Sequence, residues 1–389
     1  MSAVSLPPTR RELLAATAAA IGRCGTRSDA RNRSLTQANS YSNGETPMKR
    51  AQKSHVTAAA QYAVRGRRNN VVAAVALVAA VMGARPAMAD STASNAIAAN
   101  PNKSVATLPV DATSSKRQVR VERRTPAYWR VTFDNPPFNI FGPKSIPQLD
   151  EVITAIENDP DLKVVVFDSA VPGFFLTHYD FIPPLSASTG LPSGTTGLHP
   201  LPDMLVRLSR APIVSISLIR GRATGVGSEL ALASDMRFAS REKAILSQWE
   251  VGAALVPGGG PMARLPRLVG RGRALEILLG AEDIDGDLAE KYGYVNRSFP
   301  DDQLDGFVDA FAMRVATFDN QAIADTKRLV DFASLPSDPE IAAGWDAFIT
   351  SVQRPQAQAK IKQLMELGLQ TDPEIEERLG HYTATLGQD

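Results

Sequence analysis

The sequence predicts an α/β fold with a helical C-terminal region. Three observations carry that expectation. Strand-like and helix-like patterns alternate between Trp129 and Ala239, and such alternation builds helices over a sheet. Beyond Pro266 the patterns are mostly helical. No segment of roughly 20–50 residues repeats, which excludes a solenoid.

Trp129-Arg130-Val131-Thr132-Phe133 alternates as a strand does, and Asn135-Pro136-Pro137 breaks it. Ile146, Leu149, Ile153 and Ile156 recur at helical spacing, and Asn158-Asp159-Pro160 stops that helix. Leu162 to Phe167 is short and valine-rich, as a buried strand should be. A helix is expected over 201–210, then a strand at Ile213-Val214-Ser215-Ile216-Ser217 that ends by Gly221. Ser228 to Ala233 reads as a helix and Met236 to Ala239 as a strand. Helices are then expected over 271–279, 287–292, 304–317 and 321–332. A last helical region, about 339–369, carries Trp345, Phe348 and Ile361.

Apolar residues make up 44% of the 389 residues and charged ones 21%, which excludes a mostly disordered or collagen-like chain. Cys24 is the single cysteine, so no intrachain disulfide can form. The four histidines, His55, His178, His199 and His381, are not spaced as metal pairs, and no metal is expected. The net charge of +1 averages two unlike parts. Residues 1–89 hold 13 Lys and Arg against 3 Asp and Glu, a net of +10, and the remainder carries −9. An acidic body argues against nucleic acid as a partner.

The basic part divides further. Residues 1–47 lack a sustained apolar period and read as disordered or untranslated, with Met48 as a second possible start. Arg65-Gly66-Arg67-Arg68, the uncharged run from Val71 to Ala84 and Ala87-Met88-Ala89 form the three regions of a signal peptide over 48–89. The apolar run is too short for a stable membrane span, which needs about 20 residues. A periplasmic or secreted protein is the expectation, and a vestigial leader on a cytoplasmic one the alternative. Ser, Thr, Ala and Asn dominate 90–124, which reads as a linker before a domain over 125–389.

The richest stretch is Gly221-Arg222-Ala223-Thr224-Gly225-Val226-Gly227-Ser228-Glu229. A strand runs into a glycine-rich turn that opens a helix, where backbone N–H groups point outward and suit a developing oxyanion. Ser228 reads as the helix N-cap and Glu229 as an acid in the first turn. The helix dipole alone would account for such an acid. Other readings fail on residues. Leu230 stands where a dinucleotide fingerprint needs its third glycine. No Gly-Lys-Ser/Thr follows for a phosphate loop, and no G-x-S-x-G surrounds Ser228. A second acid, Glu250, sits in Gln248-Trp249-Glu250-Val251-Gly252. It could face Glu229 across a pocket whose apolar neighbours hold one carboxyl protonated, or be a loop residue. Gly258-Gly259-Gly260-Pro261 marks a tight turn with its backbone close to something.

These runs, with Arg264-Leu265-Pro266-Arg267-Leu268-Val269-Gly270 and Gly293-Tyr294-Val295-Asn296-Arg297, resemble in order the signature of the crotonase superfamily, the enoyl-CoA hydratase/isomerase family. The match spans about 128–330. The resemblance implies an α/β crotonase-like spiral of ββα repeats in two near-perpendicular sheets, with a C-terminal helical region from about residue 266. It implies an acyl-CoA thioester substrate, no cofactor beyond the coenzyme A the substrate carries, and a homotrimer or homohexamer. It maps the oxyanion-hole N–H donors to Tyr179 and Val226, and the acid/base pair to Glu229 and Glu250. It makes His178, Asp180, Gly225, Gly227, Trp249 and Gly258 candidates for the substrate pocket, and Lys327 a contact for the nucleotide. An isomerase of this family would need one acid, at Glu250.

Several residues depart from the family pattern: Val226 for glycine, Tyr179 for alanine or glycine, Trp249 for proline, and Pro261-Met262-Ala263 for Gly-Thr-Gln. Bulk at Val226 and Tyr179 narrows the acyl pocket, while their backbone donors survive any side chain. Tyr179 could instead offer its phenol, and His178 its imidazole, to other thioester chemistry. The competing expectation is a non-hydratase or non-catalytic binding protein on the same fold, possibly exported.

Overall fold

The computed structural model describes residues 117–386. The extension at 1–47, the signal expected at 48–89 and the linker as far as 116 lie outside the described residues.

An antiparallel pair, β1 (Val119–Thr125) and β2 (Tyr128–Phe133), precedes helix α1 (Ser145–Asn158). Then come β3 (Val164–Ser169), β4 (Phe174–Leu176), a short α2 (Ser186–Thr189) and α3 (Pro200–Arg210). β5 (Val214–Ile219), β6 (Arg222–Thr224) and α4 (Val226–Ala233) form the next unit. β7 (Met236–Ser240) and β8 (Ile245–Ser247) lead into a 3-10 turn, Glu250–Ala253. α5 (Pro261–Val269), α6 (Arg271–Gly280), β9 (Ile284–Asp285), α7 (Gly286–Tyr292) and β10 (Arg297–Phe299) follow. The rest is helical: α8 (Asp301–Ala316), α9 (Asn320–Ser334), α10 (Asp338–Val352), α11 (Pro355–Leu367), α12 (Pro373–Glu377) and α13 (Leu379–Thr385).

Two sheets share these strands. The larger runs β1-β2-β3-β5-β7-β10 and the smaller β4-β6-β8-β9. β3, β5 and β7 are parallel neighbours in the first, and β4, β6 and β8 in the second. Each ββ step therefore places its first strand in the large sheet and its second in the small one. The spiral of repeats follows from that alternation. β3 buries Val164, Val165, Val166 and Phe167, as a strand covered on both faces must. Gly221 makes the turn between β5 and β6 at φ +125°, and a Cβ there would come within 2.4 Å of the Gly173 carbonyl carbon.

The structure differs from the expectations at four places. β1 lies inside the stretch read as linker, where Val119 and Val121 pair with Phe133 and Val131 of β2. Its four charged side chains masked the strand in composition alone. β4, β6, β8, β9 and β10 are two or three residues long, too short to show a period. The last helical region is two helices, because Pro355 starts α11 with no N–H to offer. Helix α4 starts at Val226 with Gly225 as its N-cap. Ser228 is not the cap, and its hydroxyl bonds to the Tyr294 hydroxyl within the core.

Gly227 lets α4 press on the end of β4, for a Cβ there would lie 1.7 Å from the Leu176 carbonyl oxygen. Gly227→Ala is therefore expected to destabilise the fold by about 3 kcal/mol, because backbone must move to admit the methyl. Gly272→Ala in α6 meets nothing within 4 Å and should be neutral or stabilising by up to about 1 kcal/mol. Urea denaturation of both variants checks the contrast.

Candidate active site

Parallel strands end on one side of a sheet, so the residues that follow them meet there. This brings Tyr179 after β4, Val226 after β6 and Glu250 after β8 to one edge of the small sheet. With His178, Glu229, Trp249 and Gly258 they line one cavity of about 30 Å³. That is room for about two water molecules. Phe181, Leu201, Leu255, Trp345 and Phe348 close the apolar part of the wall.

Glu229 projects from the first turn of α4 and is only 2% exposed. Its Oε1 accepts the Gly259 N–H at 2.6 Å. A Cβ on Gly259 would lie 2.3 Å from Glu229 Oε2, so the Gly-Gly-Gly run is the price of bringing backbone this close. Burial raises the Glu229 pKa to about 7, against the opposing pull of the Gly259 and Gly258 amides and the Arg264 charge. Glu250 opens the 3-10 turn and is 8% exposed. Its pKa is pushed well above the usual carboxylate range, first by burial and then by the Glu229 charge. Its Oε2 has no hydrogen-bond partner. The two acids thus differ in degree: donors and a cation limit the rise at Glu229, and the Glu229 charge adds to the rise at Glu250.

The backbone N–H groups of Tyr179 and Val226 donate to nothing among the described residues. Val226 is the first residue of α4, where a helix leaves its N–H groups unpaired. Gly225, at φ +54°, keeps the turn narrow: a Cβ there would meet Glu250 Oε1 and Trp249 Nε1, each at 3.2 Å. The Tyr179 phenol and the Trp249 indole N–H are both buried without a partner.

The other candidates fall elsewhere. His178 reaches the wall, but both of its nitrogens are engaged. Nδ1 lies 2.7 Å from the Tyr179 carbonyl and Nε2 3.1 Å from Glu376 Oε2. Burial lowers its pKa, yet the Glu376 carboxylate and the Tyr179 carbonyl outweigh that and raise it, in a buried pair with Glu376. It has no free nitrogen for proton transfer at the thioester. Asp180 accepts from Gln370 Nε2 at 2.8 Å and from the Ile182 N–H at 3.0 Å, which ties a loop rather than lining the cavity. Gly227 packs on β4, as described. Lys327 lies in a separate groove of about 620 Å³, where its amine bonds to Asp235 and to the Ile213 carbonyl. The structure does not bring it to the glutamates.

Sequence reasoning missed Glu376, which lies 198 residues from His178 in the chain, and Arg264 as the cation acting on Glu229. No local pattern signals either. No cluster of three or more His, Cys, Asp or Glu that could hold a metal occurs among the described residues. No helix among them is long and apolar enough to cross a membrane.

Comparison with known proteins places the fold in a family. The enoyl-CoA hydratase/isomerase family model matches residues 125–367. The mitochondrial methylglutaconyl-CoA hydratase of Mus musculus is 29% identical over 167 residues, 42% of this chain and 52% of that protein. The crotonyl-CoA hydratase of Syntrophomonas wolfei is 30% identical over 191 residues, 49% of this chain and 72% of that one. A crystal structure of a "putative enoyl-CoA hydratase" from Streptomyces avermitilis is 38% identical, with a TM-score of 0.67, over 70% of this chain and 99% of that one. The chain spans about half the length of the mitochondrial hydratases it matches. With nine-tenths of its described residues under one family model and the ordered motifs in place, the chain belongs to the enoyl-CoA hydratase/isomerase family, the crotonase superfamily.

Proposed function

We propose that the protein is an acyl-CoA enzyme that adds water across the C2=C3 bond of a 2-enoyl thioester. The observation that carries this reading is the pairing of two unlike buried carboxyls with two unpaired backbone N–H groups around one cavity. Glu229, ionised, takes a proton from a water whose oxygen attacks C3. The thioester oxygen gains negative charge as the enolate forms, and the Tyr179 and Val226 N–H groups stabilise it. Glu250, protonated, delivers its proton to C2. Glu229 then holds the proton that Glu250 lost, and its return to Glu250 resets the pair. Coenzyme A enters as part of the substrate, and the scheme requires no further cofactor or metal.

Assembly into a homotrimer or a pair of trimers is part of the proposal. Its support is helix α9, which has no buried residue and leaves Leu329, Val330 and Phe332 more than half exposed. Apolar surface of this kind marks contact faces.

Three outcomes are expected. Glu229→Gln and Glu250→Gln should each lower kcat for a short 2-enoyl-CoA by about 10²–10⁴-fold, and kcat/KM of the wild type should rise with pH through about 7 as Glu229 ionises. Equal turnover by all three proteins in a hydration assay would refute the scheme. A carboxyl with a raised folded pKa binds more protons folded than unfolded, so stability falls as pH rises above its unfolded value of about 4.3. Glu250→Gln removes that penalty. It should melt higher than the wild type at pH 8 and lose the advantage at pH 4, as measured by calorimetry. Phe332→Glu should shift the sedimenting species toward monomer in ultracentrifugation, without loss of helical content.

A further inference from the structure

The cavity carries information about its substrate that the hydration scheme does not use. Its walls hold three buried polar atoms without hydrogen-bond partners: Tyr179 Oη, Trp249 Nε1 and Glu250 Oε2. The first two residues are 8% and 1% exposed. Leaving a buried polar group unpaired costs about 1–3 kcal/mol. Neither the Tyr179 phenol nor the Trp249 indole has a role in adding water at C3. In number and type, the two donors match the two lone pairs of one hydroxyl group.

The remaining features of the cavity narrow the choice. The barrier at the end of the cavity is aromatic. The Phe348 ring stacks on Tyr179 with centroids 6.3 Å apart, and Trp345 lies against Phe348 at 5.1 Å. Helix α10, which carries both rings, is anchored on either side. Ser337 and Glu340 form a capping box at its start, and Ser351 Oγ accepts the Val256 N–H at 3.0 Å near its end. Charge excludes a carboxylate as the substrate's polar group. Two carboxyls already line the cavity, the His178 ring in its wall is paired with Glu376, and Arg264, which acts on Glu229, bonds to Ser209 and the Leu205 carbonyl.

We propose that the acyl group this site takes is short and carries a neutral hydroxyl beyond the reacting double bond, held by the Tyr179 phenol and the Trp249 indole N–H. The proposal rests on the hydration reading and specifies its substrate. Tyr179 and Trp249 are specificity-determining here, and the substrate hydroxyl is unchanged by the reaction.

The test compares 4-hydroxybut-2-enoyl-CoA with but-2-enoyl-CoA and oct-2-enoyl-CoA, alongside calorimetric binding of the saturated 4-hydroxybutanoyl- and butanoyl-CoA. The hydroxylated substrate should have the higher kcat/KM by on the order of tenfold or more, since unpaired site groups penalise an analogue that lacks the hydroxyl. Oct-2-enoyl-CoA should be the poorest. Tyr179→Phe, which removes only the phenol, should collapse the ratio between the two four-carbon substrates, and Trp249→Phe should do the same. Equal kcat/KM for those two, an unchanged ratio in Tyr179→Phe, or efficient use of the eight-carbon substrate would overturn the inference and leave the hydration reading standing. Binding and turnover of none of the thioesters would overturn both. If Trp249→Phe fails to fold, Tyr179→Phe still decides.

Discussion

Two carboxyl groups sealed in one small cavity impose a constraint that the surrounding structure answers. A buried carboxylate is costly unless it is paired or protonated, and two together cannot both ionise cheaply. The fold resolves this by treating them differently. Glu229 receives a backbone N–H from Gly259 and feels the Arg264 charge, while Glu250 has only its own backbone N–H and feels the Glu229 charge. Unequal surroundings of this kind separate their proton affinities, which is the condition for an acid and a base to coexist at neutral pH.

That asymmetry depends on close approach. Gly259 touches Glu229, Gly225 passes beside Glu250 and Trp249, and Gly227 seats α4 on β4. Each contact works only where a Cβ is missing. The seal depends on the C-terminal helices. α10 supplies Trp345 and Phe348, and α12 supplies Glu376, whose carboxylate pairs with buried His178 next to the Tyr179 donor. A helix that lies beyond the motifs in sequence, α10, is therefore part of the site wall.

Much of this was legible in the residues. Runs such as Ile213 to Ser217 and the Ile146–Ile156 stripe carry their periods openly. The glycine-rich turn before Glu229 announces a helix N-terminus with backbone donors. The short strands were not legible, since β4, β6 and β8 have three residues each and are held by neighbours rather than by propensity. Ser228 was misread as a cap because its type fits that position, whereas the positive φ of Gly225 decided where α4 begins. The Lys327–Asp235 contact was not legible either, since it joins residues 92 positions apart.

The sequence by itself determined the family, the longer strands and helices, and the placing of Glu229 and Glu250 in its motifs, because each is written in contiguous residues whose spacing reflects local geometry. Only the tertiary structure decided how far each carboxyl is shifted, how little room the cavity leaves, and which polar atoms face it unpaired. Those properties come from burial and from contacts such as Glu229 with Gly259 and His178 with Glu376. Such contacts join residues tens to hundreds of positions apart, so no local pattern encodes them.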